Sequence, residues 1–234
     1  MTHFYVGVSG FSYPKWKGTF YPEAMKNDGF LSYYSQHLRS VEVNSSFYAA
    51  PRESVIKSWS DTTDAKFRFS FKAPQLITHI TRLGKGSAEA ANRFSTTLKK
   101  LSMRKGPILF QLPPYMKTDL RLLEDFLVNT SEIEGRVFEF RHASWLEEPT
   151  YRLLEEGGVG FCIAETEAME PVLRVTGKFA YFRLRKNSYD MKSIEGWAKK
   201  IGTLAKDSQE CYVYLRHDEI GENAVLAQRL SEKL

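Results

Sequence analysis

The feature that most constrains this chain is an alternation. Eight short runs of apolar, β-branched and aromatic residues recur along it, separated by stretches with apolar residues at helical spacing. The runs are Tyr5–Ser9, Ser40–Asn44, Phe67–Ala73, Pro107–Leu112, Arg136–Arg141, Val159–Ala164, Phe179–Leu184 and Cys211–Arg216. Their length and composition read as buried strands. Between them, Leu31/Tyr34/Leu38, Ala91/Phe94/Leu98/Leu101, Leu123/Phe126/Leu127, Ile194/Trp197/Ile201/Leu204 and Leu226/Leu230 read as apolar faces of helices. A strand followed each time by a helix calls for parallel pairing through right-handed crossovers, and eight parallel strands suffice to close a barrel. The expected fold is therefore α/β, a TIM-barrel-like (β/α)8 domain covering residues 1–234. Such barrels typically run to roughly 250 residues, so this one is compact. One unit is defective. Between the sixth and seventh strands, Glu165–Lys178 is short and interrupted by Pro171, so the expected barrel is imperfect, with a missing or short helix there.

Alternation within the strands says which side chains face inward, because successive residues point to opposite faces. Phe67, Phe69 and Phe71 form one face of the third strand and leave Ser70 and Lys72 to the other. By the same rule Val41 and Val43 leave Glu42 and Asn44, and Phe138 and Phe140 leave Glu139 and Arg141. Phe182 and Leu184 leave Tyr181, Arg183 and Arg185, while Val213 and Leu215 leave Tyr212, Tyr214 and Arg216. The fourth strand contributes Gln111. Five strands thus carry ionisable inward residues near their C-terminal ends, which is where this fold places its sites.

Lys and Arg number 33 against 28 Asp and Glu, a mild lean toward anionic partners. The two cysteines, Cys162 and Cys211, lie in apolar runs without metal-type spacing, as expected of a reducing compartment. Met1–Val8 reads as a first strand and not a signal peptide. No stretch approaches the ~20 apolar residues of a membrane span. The expectation is a cytoplasmic protein with no membrane partner.

Several blocks in one order then carry a resemblance. They are Val6-Gly-Val-Ser-Gly-Phe-Ser-Tyr13 with Trp16 and Phe20-Tyr-Pro22, and Val41-Glu-Val-Asn-Ser-Ser-Phe-Tyr48. Phe69-Ser-Phe-Lys-Ala-Pro74 follows, with Thr78-His79, Gly106-Pro-Ile-Leu-Phe-Gln-Leu-Pro113, Glu139-Phe-Arg-His-Ala-Ser-Trp145 and Tyr181-Phe-Arg183. A weaker echo lies at Asp218, Gly221 and Asn223-Ala224. With these the chain resembles the YecE-like family, domain of unknown function family seventy-two. The resemblance implies a TIM-barrel-like fold and brings no activity with it. Two departures stand out. Where the family tends to have Arg-x-His-Gly after the seventh strand, this chain has Arg183-Leu-Arg-Lys186, and where it tends to have Asn-Asp after the eighth, this chain has His217-Asp218.

Four chemistries fit the inward residues. The first is an anion site, in which Lys72, Arg141, Arg183, Arg185 and Arg216 outnumber Glu42 and Glu139, with Gln111 and Asn44 beside them. A capping ion-pair network is its structural counterpart, costly because each unpaired buried charge carries several kcal/mol of desolvation. The second is acid–base catalysis by Glu42 and Glu139, or by Lys72 as an imine-forming or proton-transferring amine. The third is a metal site drawing on His79, His142 and His217 with Glu42, Glu139, Glu165 and Asp218, although no HxH or HExxH spacing supports it. The fourth is stacking of a base or sugar on the aromatics of Phe11–Pro22, or on Phe47 and Tyr48. That loop could equally be tucked against the rim by its own rings. No P-loop, dinucleotide fingerprint or G-x-S-x-G elbow is present.

The leading expectation is an enzyme acting on a small phosphate- or carboxylate-bearing substrate in the barrel mouth. Glu42, Lys72 and Glu139 are its candidate catalytic residues. Asn44, Tyr48, His79, Gln111, Arg141, His142, Trp145, Arg183 and Arg185 are its candidate substrate-binding residues. No cofactor is expected. The alternatives are a non-catalytic binding protein for nucleic acid or a nucleotide, and a metal-dependent phosphoesterase or nuclease requiring a divalent ion.

Overall fold

The computed structural model describes residues 1–234 and contains all eight expected strands. They are β1 (His3–Val8), β2 (Ser40–Val43), β3 (Arg68–Lys72), β4 (Lys105–Gln111), β5 (Arg136–Glu139), β6 (Gly160–Glu165), β7 (Phe179–Leu184) and β8 (Glu210–Leu215). Every pairing is parallel, in the order β1-β8-β7-β6-β5-β4-β3-β2. A single bridge, Ser9 to Glu42, joins the two ends of that series and makes the sheet a nearly closed barrel. The strand ends differ from the sequence expectation by a residue or two. Arg141 and Arg216 therefore leave the ladder and stand on the loops beyond β5 and β8.

Seven helices surround the sheet: α1 (Phe30–His37), α2 (Glu53–Thr62), α3 (Ser87–Leu98), α4 (Leu120–Asn129), α5 (Glu148–Glu156), α6 (Met191–Leu204) and α7 (Glu222–Ser231). No helix lies between β6 and β7, as Pro171 led us to expect. Arg174 pins that segment instead, donating to Glu148 at 2.6 Å and Glu155 at 2.9 Å on α5, while the Thr176 hydroxyl donates to the Val159 carbonyl at 2.6 Å. No helix of the protein is long and apolar enough to cross a membrane.

The seam between β1 and β2 is held by a side chain. Tyr34 of α1 receives the Val8 amide at 2.9 Å and donates to the Ser40 carbonyl at 2.9 Å, so one phenol satisfies backbone groups on both strands. The hydroxyl is fully buried and burial pushes its pKa well up, keeping it a donor. Tyr34→Phe leaves two buried backbone groups unpaired, which costs about 1–3 kcal/mol for each uncompensated group. A lowered denaturant midpoint, together with faster amide exchange at Val8, is the expected result; an unchanged midpoint would show that the seam holds without the phenol.

Below the mouth the barrel interior is filled. Tyr5, Leu109, Val137, Cys162, Tyr181, Tyr212 and Tyr214 pack as one inner cluster, with Tyr5 stacked on Tyr212 at 5.0 Å. Tyr214 sits directly beneath the charged layer, its hydroxyl bonded to Ser40 and, at 2.7 Å, to Ser70. The inner side chains thus form an apolar floor on which a polar layer rests.

Candidate functional site at the barrel mouth

The polar layer is centred on Arg183. Its inward place on β7 puts the guanidinium between β2 and β5, and it is 2% exposed. Nε and one terminal nitrogen grip the two oxygens of Glu42 at 2.9 and 2.8 Å, and the other terminal nitrogen reaches Glu139 at 2.5 Å. A planar fork is suited to holding two carboxylates in this way. Each glutamate has further donors. Glu42 accepts from the Tyr181 hydroxyl at 2.9 Å and the Ser9 hydroxyl at 3.0 Å. Glu139 accepts from Nε of Arg141 at 2.8 Å.

Both glutamates are buried, and burial alone would raise their pKa, but the arginine charges and hydrogen bonds outweigh it. Glu42 is held below the usual carboxylate range and Glu139 falls to about 2. They are therefore ionised, fixed in place and poorly basic.

The cations around them are less completely matched. Arg185 donates to the Ser9 hydroxyl at 2.7 Å and touches no carboxylate, and burial together with neighbouring Arg183 lowers its pKa to about 10. Arg141 keeps its two terminal nitrogens unbonded, with the side chain 39% exposed. Lys72, last residue of β3, has neither an ion-pair nor a hydrogen-bond partner; its amine lies over the Phe47 ring, 4.0 Å from the centroid. Burial, helped by Arg183 and Arg141, lowers its pKa to about 8. Four cations thus surround two carboxylates.

The remaining candidates spread around the rim. Gln111 is buried on β4 in register with Glu139, and the Asn44 side-chain oxygen is buried without a partner. His79 stands edge-on to Phe47 at 4.9 Å, in the single π turn Leu76–Ile80, and bonds Thr78 at 2.9 Å. Tyr48 is largely exposed beside Phe47. His142 receives the Ser144 amide and so caps the turn Ala143–Trp145.

Trp145 does not reach the mouth. It is fully buried on the outer side, stacked on Phe140 at 4.8 Å, its indole donating to the Met116 carbonyl at 2.8 Å. Phe140, just past the end of β5, packs in the outer core, and the ring follows it. Arg216 is likewise displaced, exposed and bonded to Asn187 at 2.5 Å. It lines a separate open cleft of about 640 Å³ with Tyr13, Lys15, His217 and Asp218.

No three His, Cys, Asp or Glu side chains converge in a metal-ligating group. His217 stacks on Tyr13 at 5.0 Å, and Asp218 caps α7 by accepting the Glu222 amide at 2.9 Å. Gly221 stands at the start of that helix with φ +91°, where a side chain would strike Trp16. The echo at Asp218, Gly221 and Asn223 therefore has a structural origin. So does the aromatic first loop, whose Phe20 and Tyr21 are buried against α1, with Tyr21 stacked on Phe30 at 4.3 Å, and whose Trp16 is buried at the start of α7, its indole donating to the Asp218 carbonyl at 3.0 Å.

Two participants escaped the sequence reading. Ser9 joins Glu42 to Arg185, and Tyr181, read as inward-facing, binds Glu42 directly. Continuing the inward register of β1 from Tyr5 through Gly7 would have pointed to Ser9.

Fold and mouth together define the class: a (β/α)8 barrel whose opening is organised by one buried guanidinium holding two carboxylates. The chain belongs to the family described as "Protein of unknown function DUF72", which it matches over residues 5–234. It is similar to the UPF0759 protein YecE of Escherichia coli K12, with 29% identity over 168 residues, 69% of this chain and 59% of that protein. The chain thus spans about three fifths of the length of that relative. The UPF0759 protein YunF of Bacillus subtilis is 22% identical across 98% of this chain and 94% of its own length. Among solved structures, a DUF72 family protein from Thermotoga maritima superposes with a TM-score of 0.85 at 27% identity, covering 98% of both chains.

Proposed function

We propose that the protein is an enzyme acting on a small phosphate- or carboxylate-bearing substrate held in the barrel mouth, with Lys72 as the group that exchanges a proton or bonds with it. The observation that carries this reading is the unmatched positive charge. Lys72 and Arg185 lack carboxylate partners and Arg141 presents free donors, all at the end of the barrel where this fold performs chemistry. Desolvated cations of this kind are stabilised by an arriving anion, and an Arg fork binds it in two places. Glu42 and Glu139 hold Arg183 rigid, a positioning role, because both are fully engaged and too acidic to accept a proton readily. Lys72 is the mouth group whose pKa approaches the working range of an acid–base catalyst. Gln111 and the unpartnered oxygen of Asn44 supply neutral polar groups for orienting a substrate.

Sulfate, whose charge is constant above pH 3, is a suitable probe for calorimetry. A protonated Lys72 binds it and a neutral one does not, so affinity should fall as pH rises from 7 through about 8 to 9.5. Lys72→Met should weaken sulfate binding at pH 7 by about tenfold, the 1.4 kcal/mol of one charge-assisted contact, and flatten the pH profile. Wild-type and variant proteins binding equally well at both pH values would refute the reading. A nucleic-acid partner using the same mouth would show affinity falling steeply with salt across many phosphates, unlike a single small anion.

A further inference from the structure

Resting on that reading, we infer that Lys72 is a nucleophilic amine that forms an imine with a small anion carrying an aldehyde or ketone. The geometry sets Lys72 apart from the other mouth cations. Its backbone is clamped, the carbonyl accepting the Ser46 hydroxyl at 2.7 Å while that same hydroxyl reaches Val43 at 2.7 Å. The amine then projects over the Phe47 ring with no carboxylate to hold its proton. The two nearest carboxylates are already committed to Arg183, Arg141 and hydrogen-bonding hydroxyls. An amine beside other cations, partly withdrawn from water, is the arrangement that yields a neutral lysine nucleophile. Arg141, with its free terminal nitrogens, is available to hold the anionic end of the same molecule.

The step balances without any further reagent. The Lys72 nitrogen lone pair attacks the carbonyl carbon, a C–N bond forms, and the carbonyl oxygen takes up a proton to give a carbinolamine. Loss of that oxygen as water, with the second amine hydrogen, leaves the imine. A solvent molecule can pass the protons, the first amine hydrogen going to the carbonyl oxygen and the second leaving with it as water; Glu42 and Glu139 are not needed as acids.

Glyoxylate, an aldehyde with one carboxylate, is the probe, and cyanoborohydride fixes any iminium as a stable secondary amine. At pH 8 about half of the Lys72 amines are neutral, against about 0.4% of an ordinary lysine with a pKa of about 10.4. Allowing for the lower nucleophilicity of a less basic amine, Lys72 should be labelled at least about tenfold faster than exposed Lys192, by peptide mass mapping.

Lys105 serves as an internal comparison. Its pKa is also lowered by burial, but it lies at the opposite end of the barrel and donates to the Glu134 carbonyl at 3.0 Å. Preferential labelling of Lys72 over Lys105, suppressed by sulfate and lost in Lys72→Arg, is the expected result. Labelling of Lys72 no faster than Lys192 would overturn the imine while leaving the sulfate calorimetry to stand on its own. Fast labelling that sulfate does not suppress would instead overturn the placement of the anion in the mouth, and with it the substrate class named here.

Discussion

Arg183→Met should destabilise the protein by roughly 3–5 kcal/mol at neutral pH, among the largest effects a single substitution can have in this chain. The side chain it removes is 2% exposed and holds two carboxylates that are themselves 0% and 1% exposed. Methionine fills much the same length but leaves Glu42 and Glu139 as buried like charges without their shared counter-ion. Removing one partner of a buried ion pair costs roughly 3–5 kcal/mol, because the remaining charge keeps its desolvation penalty. For a chain of this size each kcal/mol lowers Tm by roughly 2–4 °C, so the expected fall is roughly 6–20 °C. Calorimetry or a denaturant titration reads it directly.

The pH dependence distinguishes this cause from simple loss of packing. In the native protein the pKa of both glutamates is depressed, so their contribution is fully present above the ordinary carboxylate range. It is lost only as pH falls below about 4 toward the folded value, about 2 for Glu139. Between pH 7 and 5 wild-type stability should barely respond through these groups. In Arg183→Met burial is no longer outweighed at Glu42 and its pKa rises above the ordinary value, so acidification protonates the folded state and restores stability. The gap between variant and wild type should therefore narrow between pH 7 and 5. Replacing both glutamates by Gln in the same background should recover much of the loss, since the uncompensated charges are then gone. A gap that stays constant with pH would mean that the guanidinium is a spacer and its charge is immaterial.

The architecture was legible because its determinants are local and periodic. A phenylalanine at every second residue from Phe67 to Phe71 fixes which face of β3 meets the helices, and Ser70 and Lys72 follow without further information. The same rule placed Glu42, Gln111, Glu139 and Arg183 in one layer, and the structure gathers them there. Pairing within that layer is not periodic. That Arg183 reaches across the barrel to take both glutamates, while Lys72 is left over, depends on strand stagger and on side-chain reach that spacing does not encode. Trp145 shows the limit from the other side: an aromatic shortly beyond Glu139 and Arg141 invites assignment to the rim, yet its turn returns it to Phe140 and the outer layer. Arg141 and Arg216 obey the alternation equally well on paper. Both stand beyond their strands: one still meets Glu139, and the other turns away to a different cleft. Register predicts direction only while the strand lasts.

Gly7→Ala is expected to be at least as damaging as the loss of Arg183, for a reason no propensity scale contains. Gly7 lies within β1 and has no left-handed backbone angle, so its conformation is open to any residue. On intrinsic grounds a glycine inside a strand is a weakness, and alanine there should gain roughly 0.5–1 kcal/mol. The seam reverses the sign. A Cβ built on Gly7 lies 1.8 Å from the Ser40 carbonyl oxygen and 2.9 Å from the Tyr34 hydroxyl. The first of these is backbone, which has no rotamer to escape into, and it is the same carbonyl that Tyr34 bonds to draw β2 toward β1. Relief requires the strands to separate, breaking the Tyr34 bridge and moving Ser9 from Glu42, so barrel closure and the charged layer loosen together. Overpacking ordinarily costs about 1–3 kcal/mol where side chains can adjust. Here the closest obstacle is backbone, and a cost above about 4 kcal/mol is expected, with much of the variant recovered unfolded or aggregated. Gly196, inside α6 with no atom within 4 Å of where a Cβ would stand, provides the contrast. Gly196→Ala should stabilise by roughly 0.5–1 kcal/mol. If both substitutions proved neutral or stabilising in the same denaturant titration, the close approach of β1 and β2 at Ser40 would be wrong, and so would the geometry that brings Ser9 and Arg185 to Glu42.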